Sequence, residues 1–211
     1  MIKPRVVVRG RTDDPIARLQ TSEKAESQPA RFSGGMWAII LFVSSEAMFF
    51  AALFTTYFYL RTKLPAWEPV FGHKPGWEGL PLIITIILVS SSFTMQFAIW
   101  AIRKNDRRMF LTWLTITVVL GAVFLAGQAY EYANLGFLPP DGIFAATFFT
   151  LTGFHGLHVL GGLIFIALCL ARALKGQFSA NRHLAVEAAS IYWHFVDVVW
   201  IGLFTTIYVI G

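Results

Sequence analysis

The stretch Glu187-Ala-Ala-Ser-Ile-Tyr-Trp-His-Phe-Val-Asp-Val-Val-Trp200 decides how this chain is read. It lies in a run apolar enough to cross a membrane, yet it sets His194 and Asp197 near the middle of that run. An ionisable side chain at bilayer depth is expensive unless it is paired. The same oddity recurs at Glu46 in Ser44-Ser-Glu-Ala-Met-Phe-Phe50, and at His155 and His158 in Thr152-Gly-Phe-His-Gly-Leu-His-Val159. Three separate apolar runs therefore carry groups that need a partner or a task.

The composition agrees with a membrane setting. The chain has 211 residues, of which 56% are hydrophobic and 14% charged, against about 25% charged in soluble domains. Five windows reach the ~20 residues needed to cross ~30 Å of hydrocarbon: about 36–60, 80–102, 110–131, 143–171 and 188–210. The windows are continuous rather than alternating, which excludes a barrel and predicts helices that satisfy their own backbone groups. The expected fold is an all-α integral membrane bundle of five helices over 36–211. Residues 1–35, polar and interrupted by Pro4, Pro15 and Pro29, read as a tail.

Charge placement predicts orientation. Of the 17 Lys and Arg residues, only Arg61, Lys63 and Lys74 fall on one side of the predicted spans. The rest lie in the tail, around Arg103–Arg108, and at Arg172, Lys175 and Arg182. The positive-inside bias then puts the N-terminus in the cytoplasm and, after five crossings, the C-terminus outside. The net charge of +5 is thereby a topology signal, not a nucleic-acid footprint. Cys169, the single cysteine, has no disulfide partner within the chain and reads as a small packing residue.

Counting ~1.5 Å per residue puts Glu46 ~15 Å into its span, and brings His155 and His158 to the depths of Asp197 and His194. This allows a buried polar layer of His155, His158, His194 and Asp197. Two facing histidines, His158 and His194, have the minimum ligand set for a haem iron. A Glu46–His158–His194–Asp197 set is also the kind of chain from which proton-coupled transporters build relays. A third reading is an accessory subunit whose polar groups tie helices together. Gly121, Ala122, Ala126, Gly153, Gly161 and Gly162 would let those helices approach closely. Glu131 and the rings of Tyr57 and Tyr59 are expected at the outer interface, and Glu187 at the favourable N-terminus of the last helix.

Taken in order, four motifs make the chain similar to subunit III of the haem-copper respiratory oxidases. They are Ser44–Phe50, Gly127-Gln-Ala-Tyr-Glu-Tyr132, Thr152–Val159 and Glu187–Trp200. The resemblance covers residues 31–211. It implies a chain without catalytic residues, metal ligands or redox centre of its own, since haem and copper belong to partner subunits. Those partners, subunits I and II, reduce oxygen and pump protons with electrons from cytochrome c or quinol. Subunit III packs beside subunit I, supports sustained proton uptake and holds phospholipid. By the same resemblance Glu46 matches the family's embedded carboxylate, and Arg172 and Lys175 match lipid-headgroup contacts. Many members have seven spans. The five-span form implies a bacterial inner membrane, and it leaves out two helices that wall the family's lipid cleft.

Overall fold

The computed structural model describes residues 34–63 and 78–210. The tail expected over 1–35, apart from its last two residues, and most of the 61–79 link lie outside the described residues. Within them the chain forms five long helices and no strand. We number them α1 (Gly34–Lys63), α2 (Leu80–Arg103), α3 (Arg107–Asn134), α4 (Ile143–Leu174) and α5 (Leu184–Phe204). The last continues as a wider π-helical turn, Thr205–Ile210. All five are long and apolar enough to cross a membrane. Each of α1, α3 and α4 runs about a turn past the predicted window at one or both ends, and α5 begins four residues earlier.

The links that follow α2 are local and tight. Lys104, Asn105 and Asp106 join α2 to α3. Asn105 takes a left-handed conformation (φ 58°), and Asp106 caps α3 by accepting from the Met109 amide at 3.1 Å. So short a link makes α2 and α3 antiparallel neighbours. A 3-10 turn, Pro139–Asp141, precedes α4. At the far end of α4, Gly176 (φ 71°) supplies the left-handed residue of a helix stop, in which the Gln177 amide reaches back to the Arg172 carbonyl at 3.1 Å.

The helices from α2 to α5 close a four-membered ring, with α2 against α3, α3 against α4, α4 against α5 and α5 against α2. Trp193 of α5 is fully buried inside that ring. Its ring lies between two glycines: a Cβ on Gly121 of α3 would come within 2.8 Å of it, and one on Gly162 of α4 within 3.0 Å. Its indole N–H donates to Ser91 of α2 at 2.9 Å. One side chain thus touches all three other helices of the ring. Gly121→Ala is therefore expected to destabilise the purified protein by ~1–3 kcal/mol, the usual cost of overpacking. Gly156→Ala, where nothing lies within 4 Å of the added methyl, should be neutral or slightly stabilising. Thermal unfolding in detergent distinguishes the two.

Helix α1 stands outside the ring, against α4 and α5. Its only two buried residues are Phe50 and Tyr57. The Tyr57 hydroxyl donates to the Thr206 carbonyl at 3.4 Å, and Arg61 donates to the Ile210 carbonyl at 3.3 Å. Both acceptors belong to the π-helical turn. Tyr57 is accordingly not the interfacial ring expected from its position; only Tyr59 is exposed there. The two alternate because they are two residues apart on a helix, some 200° around its axis.

Candidate functional site

The ionisable residues singled out in the sequence fall into two groups on different helix pairs, with His155 apart from both. The first group joins α1 to α4. Glu46 Oε2 lies 2.8 Å from His158 Nε2, and His158 Nδ1 lies 2.6 Å from the Phe154 carbonyl. A carbonyl only accepts, so Nδ1 carries a proton. Nε2 then either accepts from the Glu46 acid or donates to its carboxylate. The proton is shared within the pair, and no net charge has to be held at this depth. Ser44 and Ser45 do not compete, because each hydroxyl bonds a carbonyl of its own helix. Phe49 and Phe50 cover the His158 ring, at 6.2 and 4.9 Å between centroids.

The second group joins α2 to α5. The Ser92 hydroxyl donates to Asp197 Oδ2, and His194 Nδ1 lies 3.0 Å from the Ser92 Oγ. One hydroxyl thus serves both α5 side chains. Since its single proton goes to Asp197, it accepts from an Nδ1–H of His194. This bond is one of a row: Trp200 Nε1 donates to Thr85 at 2.9 Å on one side, and Arg103 meets Glu187 at 2.8 Å on the other. Glu187 also takes His183 at 3.2 Å in the first turn of α5. Interhelical hydrogen bonds in membrane proteins contribute ~0.6 kcal/mol on average, up to ~1.7. The row fixes register more than it supplies stability.

His155 joins neither group. It is 1% exposed, stacked on Trp200 at 4.9 Å and edged by Phe124 at 6.0 Å. Neither ring nitrogen has a hydrogen-bond partner among the described residues. The haem pair considered above fares poorly on geometry, since both ring nitrogens of His158 are already engaged. No group of three or more His, Cys, Asp or Glu suited to a metal occurs among the described residues.

Glu131 departs from expectation. It is 7% exposed rather than interfacial, and its Oε1 accepts from the Tyr208 hydroxyl at 2.9 Å. One residue on, Tyr132 bonds Thr152 at 2.7 Å. Helix α3 runs on to Asn134, and the π-helical end of α5 covers it there. Sequence reasoning also missed Ser92, whose hydroxyl gathers His194 and Asp197. A signal was present: Thr85, Ser92, Gln96 and Arg103 recur at intervals of seven, four and seven, one face of α2.

Arg172 and Lys175 lie at the end of α4 beside Phe165, Leu168, Cys169 and Gln177, around a cavity of about 380 Å³. The Arg172 guanidinium sits over the Phe178 ring at 5.1 Å and donates to Gln177 at 2.9 Å. Cys169 is buried, its thiol directed at the Ala185 carbonyl at 3.8 Å.

Comparison with known proteins gives a consistent result. Residues 20–211 match the family described as cytochrome c oxidase subunit III. A protein named cytochrome c oxidase subunit 3 from Synechocystis sp. is 46% identical over 177 residues, 83% of this chain and 75% of the relative. One from Corynebacterium diphtheriae is 44% identical over 179 residues, 81% of this chain and 85% of the relative. One from Sus scrofa is 41% identical over 181 residues, 83% and 69%.

Proposed function

The chain belongs to the cytochrome c oxidase subunit III family, and on that premise we propose that it is the non-catalytic third subunit of a proton-pumping terminal oxidase in a bacterial inner membrane. Members of this family are parts of multi-subunit respiratory oxidases, and the five helices make this chain a multi-pass membrane protein. In this role it packs beside subunit I, with subunit II in the same complex. Haem and copper, and the reduction of oxygen with electrons from cytochrome c or quinol, belong to those neighbours. This chain supports their sustained proton uptake and carries phospholipid. Its N-terminus faces the cytoplasm, the side where Arg103, Lys104, Arg107, Arg108, Arg172 and Lys175 gather.

One observation carries the structural role. Glu46 and His158 complete one another across α1 and α4, while His194 and Asp197 share Ser92 across α2 and α5. A proton-coupled transporter would want these four residues along one route. Here Glu46 and His158 are joined across one helix pair and His194 and Asp197 across another, so the four do not form one hydrogen-bonded chain among the described residues. The cavity at Arg172 and Lys175 suits an anionic phospholipid: the cations meet the phosphate at the boundary, and Phe165 and Leu168 receive the start of an acyl chain.

Purification of the tagged chain under mild detergent tests the reading. Haem-bearing membrane polypeptides should accompany it, and the isolated chain should show no haem band in a reduced-minus-oxidised spectrum. A chain that purifies alone and catalyses proton-coupled transport would contradict the proposal. Glu46→Gln should leave co-purification nearly unchanged, since an amide N–H still donates to His158 Nε2. Loss of the complex in that variant would show that Glu46 does more than tie α1 down.

A further inference from the structure

The row of bonds between α2 and α5 continues onto the lipid-facing surface, and there it is unfinished. The outward stripe of α5 reads Ile191, His194, Val198, Ile201, at intervals of three, four and three. Val198 is 68% exposed and Ile201 47%. His194 interrupts this apolar stripe ~15 Å from the start of α5, near the middle of a bilayer ~30 Å thick. It is half-buried, with Nδ1 held by Ser92. Its Nε2 has no partner among the described residues. On the adjoining edge of α2, one turn beyond Ser92, Gln96 is also half-buried, and its amide makes no hydrogen bond among the described residues. Phe93, three residues before Gln96 on α2, is 63% exposed.

A glutamine amide and an imidazole nitrogen facing acyl chains have nothing to bond with, and in hydrocarbon an unmet polar group is costly. The exposed neighbours Phe93, Val198 and Ile201 are apolar, so the two groups are not part of an aqueous path. Gln96 is four residues, ~6 Å along α2, from the Ser92 that His194 bonds, so the two groups are within reach of neighbouring turns of one helix. With Ser92 donating to Asp197 and accepting from the Nδ1–H of His194, the neutral imidazole offers Nε2 as an acceptor. The complement is a hydroxyl, amide or indole N–H on another membrane helix.

From this we infer that the α2–α5 seam, centred on His194 and Gln96 and flanked by Phe93 and Val198, is where the chain meets a transmembrane helix of the larger oxidase subunit, through a hydrogen-bond donor on that helix. The inference rests on the subunit reading above and adds to it the face of contact and its chemistry.

Site-specific photo-crosslinking in the native complex tests it. A benzophenone amino acid is placed at Phe93 or Val198 of the tagged chain, with Val119 on α3, 54% exposed, as the control at similar depth. Irradiation should join the chain to the large haem-bearing subunit from positions 93 and 198, and much less from 119. Gln96→Leu should lower the amount of chain retained in the complex after a detergent wash by about threefold, the effect of one lost interhelical bond of ordinary strength. The melting temperature of the isolated chain should not fall, because Gln96 makes no hydrogen bond among the described residues. In an intact complex, adducts only from position 119, adducts with lipid alone, or adducts with a second copy of this chain would each overturn the seam assignment and leave the subunit reading standing. Purification without any haem-bearing partner would overturn both.

Discussion

Trp193→Ala should lower the stability of the bundle by ~3 kcal/mol, the largest effect expected of any single substitution within the ring. The figure comes from weighing two contributions. Truncating a buried tryptophan costs ~3–5 kcal/mol in soluble proteins, as lost transfer energy together with the cavity left behind. In a membrane the transfer part shrinks, since lipid tails are as apolar as the core, so the lower end applies. What remains is packing, and here packing is concentrated. The indole fills the slot between Gly121 and Gly162 and reaches Ser91. With it removed, three helices lose one shared contact at once, and the flat glycine surfaces have nothing to close on. By the scale for domains of about this size, ~3 kcal/mol corresponds to a fall of roughly 6–12 °C in melting temperature. Trp193→Phe should recover about half of the loss or more, because it keeps a ring in the slot and forfeits the N–H bond to Ser91, ~0.6–1.7 kcal/mol. If Trp193→Phe proved as damaging as Trp193→Ala, the bond to Ser91 rather than the slot would govern stability.

The same weighing explains what was legible in the sequence. Five helices were readable because apolar length is set by bilayer thickness, a one-dimensional constraint. So was the presence of interhelical ties, since ionisable residues at depth must be met. The pairing was not. Whether Glu46 meets His158 or His194 depends on the order of helices around the ring and on their rotation. Trp193 and the glycines it lies between set that rotation, which leaves Asp197 and His194 facing Ser92. Depth alone placed His155 with the others, yet in the fold it stacks on Trp200 and joins no polar group. Tyr57 and Glu131 were misjudged for a related reason. Distance from a helix end indicates the interface only where nothing covers that end. Here Thr205–Ile210 does, supplying Tyr208 to Glu131 and the Thr206 carbonyl to Tyr57.

Phe50→Ala should release α1 from the ring, and far more completely than Glu46→Gln. Helix α1 buries only Phe50 and Tyr57, so its docking rests on few side chains. The Phe50 ring meets His158 at 4.9 Å, Phe195 at 6.3 Å and His155 at 6.5 Å between centroids, touching α4 and α5 together. Its removal costs ~3 kcal/mol by the same reasoning, and it also uncovers the Glu46–His158 pair to lipid. The polar ties of α1, from Glu46, Tyr57 and Arg61, each contribute ~0.6 kcal/mol by the membrane average. Together they fall short of that single ring. The two terms separate experimentally because Leu53 of α1 and Thr150 of α4 line one cavity of about 150 Å³. Cysteines at those two positions should be joined by a short bis-maleimide in the otherwise unaltered chain and in the Glu46→Gln background. In the Phe50→Ala background the yield should collapse. Equal losses in both backgrounds would mean that the carboxylate–imidazole pair, not the aromatic anchor, holds α1 in place. That result would reverse the order of forces argued for this fold, in which shape fixes the helices and buried polar groups follow the arrangement shape has set.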